Sequence, residues 1–84
     1  MNIEMLKQTL DVLNINFKDY SLDGISLPMQ TVLSRSGDTW VTFEYDEVGR
    51  SLDLKEFINE EDACKDILER LCYLVEWRKK YNVR

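Results

Sequence analysis

DTWVTFEYDEVGRSLDLKEFINEED, residues 38–62, decides the fold, because it joins two strand-like runs to the start of a helix. Residues 39–46 place β-branched and aromatic side chains on both alternating faces, which is typical of a half-buried strand. Gly49 marks a turn, and residues 51–57 alternate leucines with charged side chains. Asn59 then caps a helix whose first turn is acidic, which suits the helix dipole. The segment therefore predicts strand, turn, strand and helix in succession.

The sequence before this segment predicts one helix and two further strands. Residues 2–14 carry an apolar stripe at helical spacing, with Asn2 as the capping residue. Strand candidates follow at residues 17–22 and 29–35, separated by a loop that contains Gly24 and Pro28. The N-terminal half therefore adds a helix and up to two strands to the sheet.

The remaining links fix the fold class. Ser36-Gly37-Asp38 predicts a short hairpin turn between two antiparallel strands. After the Asn59 cap, apolar side chains between residues 64 and 75 form a broad helical stripe. Short links favour an antiparallel meander, and amphipathic helices cover one face of such a sheet. Residues 1–84 are therefore predicted to form a single α+β domain with an N-terminal helix, a three- to four-stranded antiparallel meander and a long C-terminal helix packed on the sheet.

Acidic side chains are concentrated in residues 38–62. This stretch holds nine carboxylates against two bases, a local charge of −7, whereas the whole chain carries −5. A sequence pI near 4.6 argues against direct binding of nucleic acid, because phosphate backbones require a basic footprint. It also argues against binding at anionic membrane surfaces. A basic protein partner, in contrast, is attracted.

Side chains that usually carry catalysis or hold metals are scarce. The chain has no histidine, its three glycines are scattered, and Cys64 and Cys72 lack the spacing of a zinc site. Asp46-Glu47 and Glu60-Glu61-Asp62 are carboxylate clusters that suit acid–base work or a hard cation. Their predicted places, a turn and a first helical turn, favour solvated carboxylates instead. The sequence therefore predicts no catalytic residue, no metal and no cofactor.

Localisation and redox state follow from two further features. The N-terminus lacks the basic and continuous apolar regions of a signal peptide, and no run is apolar enough to span a membrane. Cys64 and Cys72 lie eight residues apart on the predicted helix, about 12 Å, which is too far for a disulfide. A cytoplasmic protein with reduced thiols is therefore predicted.

Recognition by a charged face is the function class that remains. Trp40 is either an exposed aromatic anchor for a partner or a residue packed under a helix, because both faces of its strand are apolar. Each acidic side chain either contacts the partner or is simply solvated. The candidate partner-binding residues are Trp40, Glu44, Asp46, Glu47, Asp53, Glu56, Glu60 and Glu61.

Three segments of the chain resemble a group of small predicted immunity proteins from bacterial polymorphic-toxin systems. The segments are YSLDG at 20–24, LSRSGDTWVTFEYDEVGR at 33–50 and LKEFINEEDACKDILERL at 54–71. Asp46 and Val48 interrupt the hairpin spacing of that pattern. The resemblance implies a short α+β protein that is encoded beside a secreted toxin and neutralises it by tight binding. Since toxin domains that act on nucleic acid are often basic, it also implies a basic toxin or nuclease domain as the partner.

Other functions fit the same size and charge. One is a phage-encoded acidic inhibitor of a host defence nuclease, and another is a small structural or regulatory subunit that docks through the apolar side of its sheet. An enzyme fits least well. The sequence pattern leaves the oligomeric state open.

Overall fold

The computed structural model describes residues 1–24 and 27–81. Residues 25–26, in the predicted loop, and residues 82–84 lie outside these ranges. The elements are α1 (Ile3–Val12), a 3-10 turn (Phe17–Asp19), β1 (Tyr20–Ser21), β2 (Gln30–Ser36), β3 (Thr39–Tyr45), β4 (Ser51–Phe57) and α2 (Glu60–Lys80). The predicted α+β fold, with a helix at each end and a sheet between them, is confirmed.

The sheet has the order β1-β2-β3-β4, which follows the order of the chain. β2 pairs with β3 and β3 pairs with β4 in antiparallel fashion, as predicted, and Gly37 and Asp38 form the first hairpin turn. The prediction of a purely antiparallel sheet was wrong at β1, which pairs with β2 in parallel. The first half of the predicted strand 17–22 is instead a 3-10 turn, because the Asn16 side chain accepts from the Lys18 N–H at 2.9 Å and caps that turn.

A buried glutamine fastens the parallel edge of the sheet. The amide nitrogen of Gln30 donates to the carbonyls of Lys18 and Tyr20 at 3.2 and 3.3 Å. Its amide oxygen accepts from the Leu27 N–H at 3.0 Å. A buried amide that satisfies three backbone groups replaces part of the ladder that a two-residue strand cannot supply. The side chain of Gln30 therefore holds β1 and the following loop at the start of β2.

Both helices pack on one face of the sheet. Leu6 and Leu10 of α1 meet Ile67 and Leu71 of α2 in one buried cluster, together with Leu33 of β2. At about 1.5–3 kcal/mol for each fully buried large apolar side chain, this cluster is the main source of stability. Trp40 and Phe57, which are paired neighbours on β3 and β4, pack against it.

This packing decides which face of β3 points to the helices. Trp40 packs against the helical core and Thr42 contacts α2, so alternation places Trp40, Thr42 and Glu44 on the helix side. Phe43 and its cross-strand partner Val32 are buried on the other side of the sheet. The partner-anchor interpretation of Trp40 is thereby weakened, because the alternative of packing under a helix is the arrangement that occurs.

The helix termini follow the sequence. The Asn2 side chain accepts from the Met5 N–H, and the Asn59 side chain accepts from the Asp62 N–H at 2.8 Å, so both predicted caps are confirmed. Cys64 is buried, Cys72 is half-buried, and both thiols are free. None of the described helices is long and apolar enough to cross a membrane.

Candidate functional site in the groove between α2 and β4

Arg70 of α2 lies at the centre of a polar network beneath the helix. Its Nη1 donates to Glu44 Oε2 at 2.8 Å, and its Nε donates to Asp66 Oδ2 at 2.7 Å. Its Nη2 donates to the Asp53 carbonyl at 2.6 Å. The side chain of Arg70 is only 10% exposed. One guanidinium therefore joins α2 to both β3 and β4; we call these contacts the Arg70 network.

The buried end of this network is fully hydrogen-bonded. Asp66 Oδ2 also accepts from the Thr42 hydroxyl at 2.6 Å, and Lys55 Nζ lies 3.7 Å from Asp66 Oδ1. Glu44 Oε1 accepts from the Thr31 hydroxyl at 2.7 Å. Burial alone would lower the pKa of Arg70, but the hydrogen bonds to Glu44 and Asp66 outweigh burial and raise it. Arg70 therefore stays charged, and it neutralises the carboxylate that the fold buries.

Asp53 combines strained backbone with a mostly exposed carboxylate. It has a φ of +53°, and the pairing of β3 with β4 shifts register between Thr42 and Glu44. A bulge of this kind explains the left-handed backbone, which aspartate tolerates better than most side chains. The side chain of Asp53 is 69% exposed, with an oxygen 3.7 Å from Arg70 Nη1. Asp53 thus uses its carbonyl for structure and leaves its carboxylate mostly in solvent.

These side chains line an open groove of about 540 Å³ between α2 and β4. Its ionisable groups are Glu44, Asp53, Lys55, Asp66, Glu69 and Arg70, and Tyr73 borders it. Four carboxylates against two cations leave a net charge of −2, and the exposed ones lie at the rim. The acidic groove, so defined, contains two of the predicted partner-binding acids, Glu44 and Asp53. Glu69 was not predicted; its only sequence signal is an exposed helical position near Arg70.

Asp46 and Glu47 lie in the turn that leads from β3 to β4. Asp46 accepts from the Arg50 and Val48 N–H groups at 2.7 and 3.1 Å, and from Arg50 Nε at 2.8 Å. The hydrogen bond from the Arg50 N–H is the largest of the effects that lower the pKa of Asp46. Asp46 therefore shapes the turn, whereas Glu47 is exposed in that turn, three residues along the chain from Glu44.

The other three predicted acids lie at the opposite end of the sheet, near the start of α2. Glu60 Oε2 accepts from the Ile3 N–H at 2.8 Å, and Glu61 lies 3.6 Å from the N-terminal ammonium. Glu56 accepts from the Thr39 hydroxyl at 3.3 Å. Seven strand residues, about 20 Å, separate this end from the β3–β4 turn. The structure thus divides the predicted acidic face into two groups.

The end of α2 and its capping residue, Tyr81, carry a row of exposed aromatic side chains that the sequence analysis missed. Tyr73, Trp77 and Tyr81 are 74%, 42% and 57% exposed and follow one another at intervals of four residues. The Trp77 and Tyr81 rings lie 5.2 Å apart, and Lys80 Nζ lies 5.6 Å from the Tyr81 ring. We call these three residues the aromatic stripe. The four-residue spacing was the available signal.

Cys64 carries the buried one of the two free thiols. Burial, followed by the negative charge of Glu60, raises the pKa of Cys64, so the thiol stays protonated and weakly nucleophilic near neutral pH. Among residues 1–24 and 27–81, no group of three or more side chains is arranged to hold a metal ion.

Comparison of the chain with protein-family models, with curated proteins and with solved structures finds no match in any of the three.

Proposed function

We propose that this protein is a non-enzymatic inhibitor that binds a basic protein partner, in the manner of an immunity protein that neutralises a bacterial toxin. The acidic groove is the binding face, with Glu44, Asp53 and Glu69 at its rim, and Glu47 in the β3–β4 turn adds negative charge to the same protein. The cytoplasm is the compartment in which such a protein would meet a nuclease partner. The negative charge that remains on the groove after internal pairing is the observation that carries the proposal.

The geometry supports a charged face more than a reaction centre. Arg70 is held by Glu44, Asp66 and the Asp53 carbonyl, so its donors are already occupied. In contrast, the Asp53 carboxylate is 69% exposed and the Glu44 side chain 41% exposed. A rigid base that holds exposed carboxylates in place is suited to receive lysine or arginine side chains of a partner, with electrostatic steering of the encounter.

The test uses the purified product of the gene adjacent to this one, with association and dissociation rates measured by biolayer interferometry at several salt concentrations. A variant that loses negative charge at the groove and in the β3–β4 turn, Asp53→Asn with Glu47→Lys, should associate about tenfold more slowly at low salt and with a flatter salt dependence. Asparagine is chosen at residue 53 because it tolerates the positive φ.

The matched control is Glu56→Lys with Glu61→Gln, which changes the net charge by the same amount, +3, at the far end of the sheet. This control should bind nearly as well as the natural protein. An equal loss of association rate in both variants would indicate that the net charge of the protein, and not the groove, attracts the partner. Unchanged binding in both variants would contradict an acidic binding face. Salt-independent binding would instead favour a subunit that docks through apolar surface.

The genetic context separates the two kinds of inhibitor. A toxin gene directly upstream agrees with the immunity proposal, and rescue of growth during toxin expression would support it. Phage structural or regulatory genes on both sides would instead favour the inhibitor of a host defence nuclease. Turnover by the isolated protein that disappears on removal of one carboxylate would overturn both.

A further inference from the structure

The last turns of α2 present an apolar surface that nothing in the described part of the chain covers. The aromatic stripe borders a shallow cleft of about 230 Å³, which Glu76 and Lys80 also line. Tyr73 is 74% exposed although α2 buries its opposite side against the sheet. Large, exposed aromatic side chains arranged along one helix are characteristic of interaction surfaces.

Charge along this surface has opposite signs at its two ends. Glu69 lies one turn before Tyr73, and Lys80 lies beside Tyr81. The surface is therefore acidic at one end, aromatic in the middle and basic at the other end. A surface of this kind is complementary to itself when a second copy is turned end to end. We propose that the aromatic stripe is a self-association surface, at which α2 packs antiparallel against α2 of a second copy about a two-fold axis.

The spacing along α2 fits this arrangement. A two-fold axis level with residue 75 places Tyr73 opposite Trp77 of the second copy, because both lie two residues, about 3 Å, from the axis. Glu69 then lies level with Tyr81 of the second copy and within about 1.5 Å, along the axis, of the level of its Lys80. Because the interface is isologous, each of these contacts occurs twice.

Glu76 is the charged residue nearest the two-fold axis. Lys79 and Lys80 lie three and four residues further along the same helix, so each is a neighbour of Glu76 on the helix surface and offsets its negative charge. The antiparallel arrangement also aligns the two helix dipoles favourably. Glu69 and Tyr73 belong to the acidic groove as well, so a dimer covers the α2 side of the groove and leaves Asp53 on the β4 side accessible.

The exposed aromatic area sets the expected strength. A fully exposed aromatic side chain offers about 200 Å², so the three exposed fractions correspond to about 350 Å² per copy and about 700 Å² in total. This is below the size of a stable interface, which predicts a weak and concentration-dependent dimer. The oligomeric state should therefore change over an accessible range of protein concentration.

The experiment is sedimentation velocity of the full chain from about 1 μM to about 1 mM, a range that covers weak affinities. The natural protein should shift from monomer to dimer within this range. Trp77→Ala should weaken association at least tenfold, because the change removes two aromatic contacts from the dimer. Circular dichroism of this variant verifies that the helix is intact.

Charge reversal gives the sharper test. Glu69→Lys and Lys80→Glu should each weaken self-association about fivefold, since each places like charges opposite one another at both ends of the interface. An equimolar mixture of the two variants should form a heterodimer at least as readily as the natural protein dimerises, because the mixed pair brings opposite charges together again. Lys65→Glu, which makes the same change at an exposed position of α2 outside the cleft and the groove, is the control and should associate nearly as the natural protein does.

Three results would overturn the proposal. The first is a natural protein that remains monomeric over the whole concentration range, which would assign the aromatic stripe to a different partner. The second is a dimer that persists in Trp77→Ala, and the third is a mixture of the two charge variants that shows no gain over either variant alone. Either of these two would place the dimer interface elsewhere on the molecule.

Discussion

The two halves of the contact between α2 and the sheet are held by different forces. On one side of α2, Ile67 and Leu71 pack into an apolar cluster that includes α1 and β2. On another side of the same helix, Asp66 and Arg70 bind β3 and β4, with distances of 2.6–2.8 Å to Thr42, Glu44 and Asp53. Apolar contact is non-directional, whereas the Arg70 network requires one register of helix and strands. The apolar core therefore contributes most of the stability, and the Arg70 network fixes the place of the acidic groove.

Removal of Arg70 should change the free energy of unfolding more than any other substitution in the network or the core. Arg70→Ala should lower the free energy of unfolding by about 3–5 kcal/mol, because it leaves the buried Asp66 without its closest cation. Urea denaturation followed by circular dichroism measures the change. Arg50→Ala is the matched control, since its ion pair with Asp46 is at the surface and should leave the midpoint nearly unchanged. Equal effects of the two substitutions would show that the network is not desolvated.

A combined replacement sharpens the same point. Arg70→Met together with Asp66→Leu should recover most of the stability lost in Arg70→Ala, since apolar residues of similar size often replace a buried ion pair without loss. The same variant should still lose order around Asp53, because its carbonyl no longer has a donor from α2. Amide hydrogen exchange of β4 measures that order, and protection as in the natural protein would contradict a positioning role for the network.

Truncation in the apolar half should have an effect of similar or slightly smaller size. Ile67→Ala should lower the free energy of unfolding by about 3 kcal/mol, because Ile67 is fully buried and its removal leaves a cavity. Leu54→Ala, at a position 58% exposed, should change it by no more than about 0.5 kcal/mol. Unlike Arg70→Met with Asp66→Leu, the Ile67 variant should leave the exchange of β4 relative to the rest of the sheet unaltered. A selective loss of exchange protection in β4 would contradict separate roles for the apolar core and the Arg70 network.

The bulge at Asp53 gives a smaller effect that isolates backbone strain. Asp53→Gly and Asp53→Ala both remove the carboxylate, but only alanine is strained at a φ of +53°. The glycine variant should therefore be the more stable by about 1 kcal/mol, as measured by urea denaturation. Equal stability, or an advantage for alanine, would show that the bulge relaxes on substitution.

The smallest effect concerns the buried thiol in alkaline solution. Since folding raises the pKa of Cys64 above its unfolded value of 9.0, its contribution to stability is fully present below that pH and is lost as pH rises through the folded pKa. Cys64→Ala should therefore lose less stability than the natural protein between neutral and alkaline pH, as measured by denaturation at each pH. Cys72→Ala, at a half-buried position, should keep the natural dependence. Parallel curves for all three proteins would contradict this assignment.

Local patterns in the sequence predicted the elements better than their contacts. Alternation in β3, the asparagine caps at residues 2 and 59, and the glycine turns were all readable because each depends on residues a few positions apart. The parallel pairing of β1 was not readable, because it depends on the side chain of Gln30 reaching backbone groups ten and twelve residues away. The candidate acids were likewise chosen from their local density, which carries no information about where Arg70 lies.

The sequence by itself determined the α+β class, the caps, the turns and the concentration of negative charge, because helix periodicity, strand alternation and turn chemistry act over short distances. Only the tertiary structure decided that Trp40, Thr42 and Glu44 face the helices, since both faces of β3 are apolar enough to be buried. It also decided which acids remain free. Long-range contacts pair Glu44 with Arg70 and Glu60 with the start of α1, and they leave the Asp53 carboxylate and the aromatic stripe of α2 in solvent.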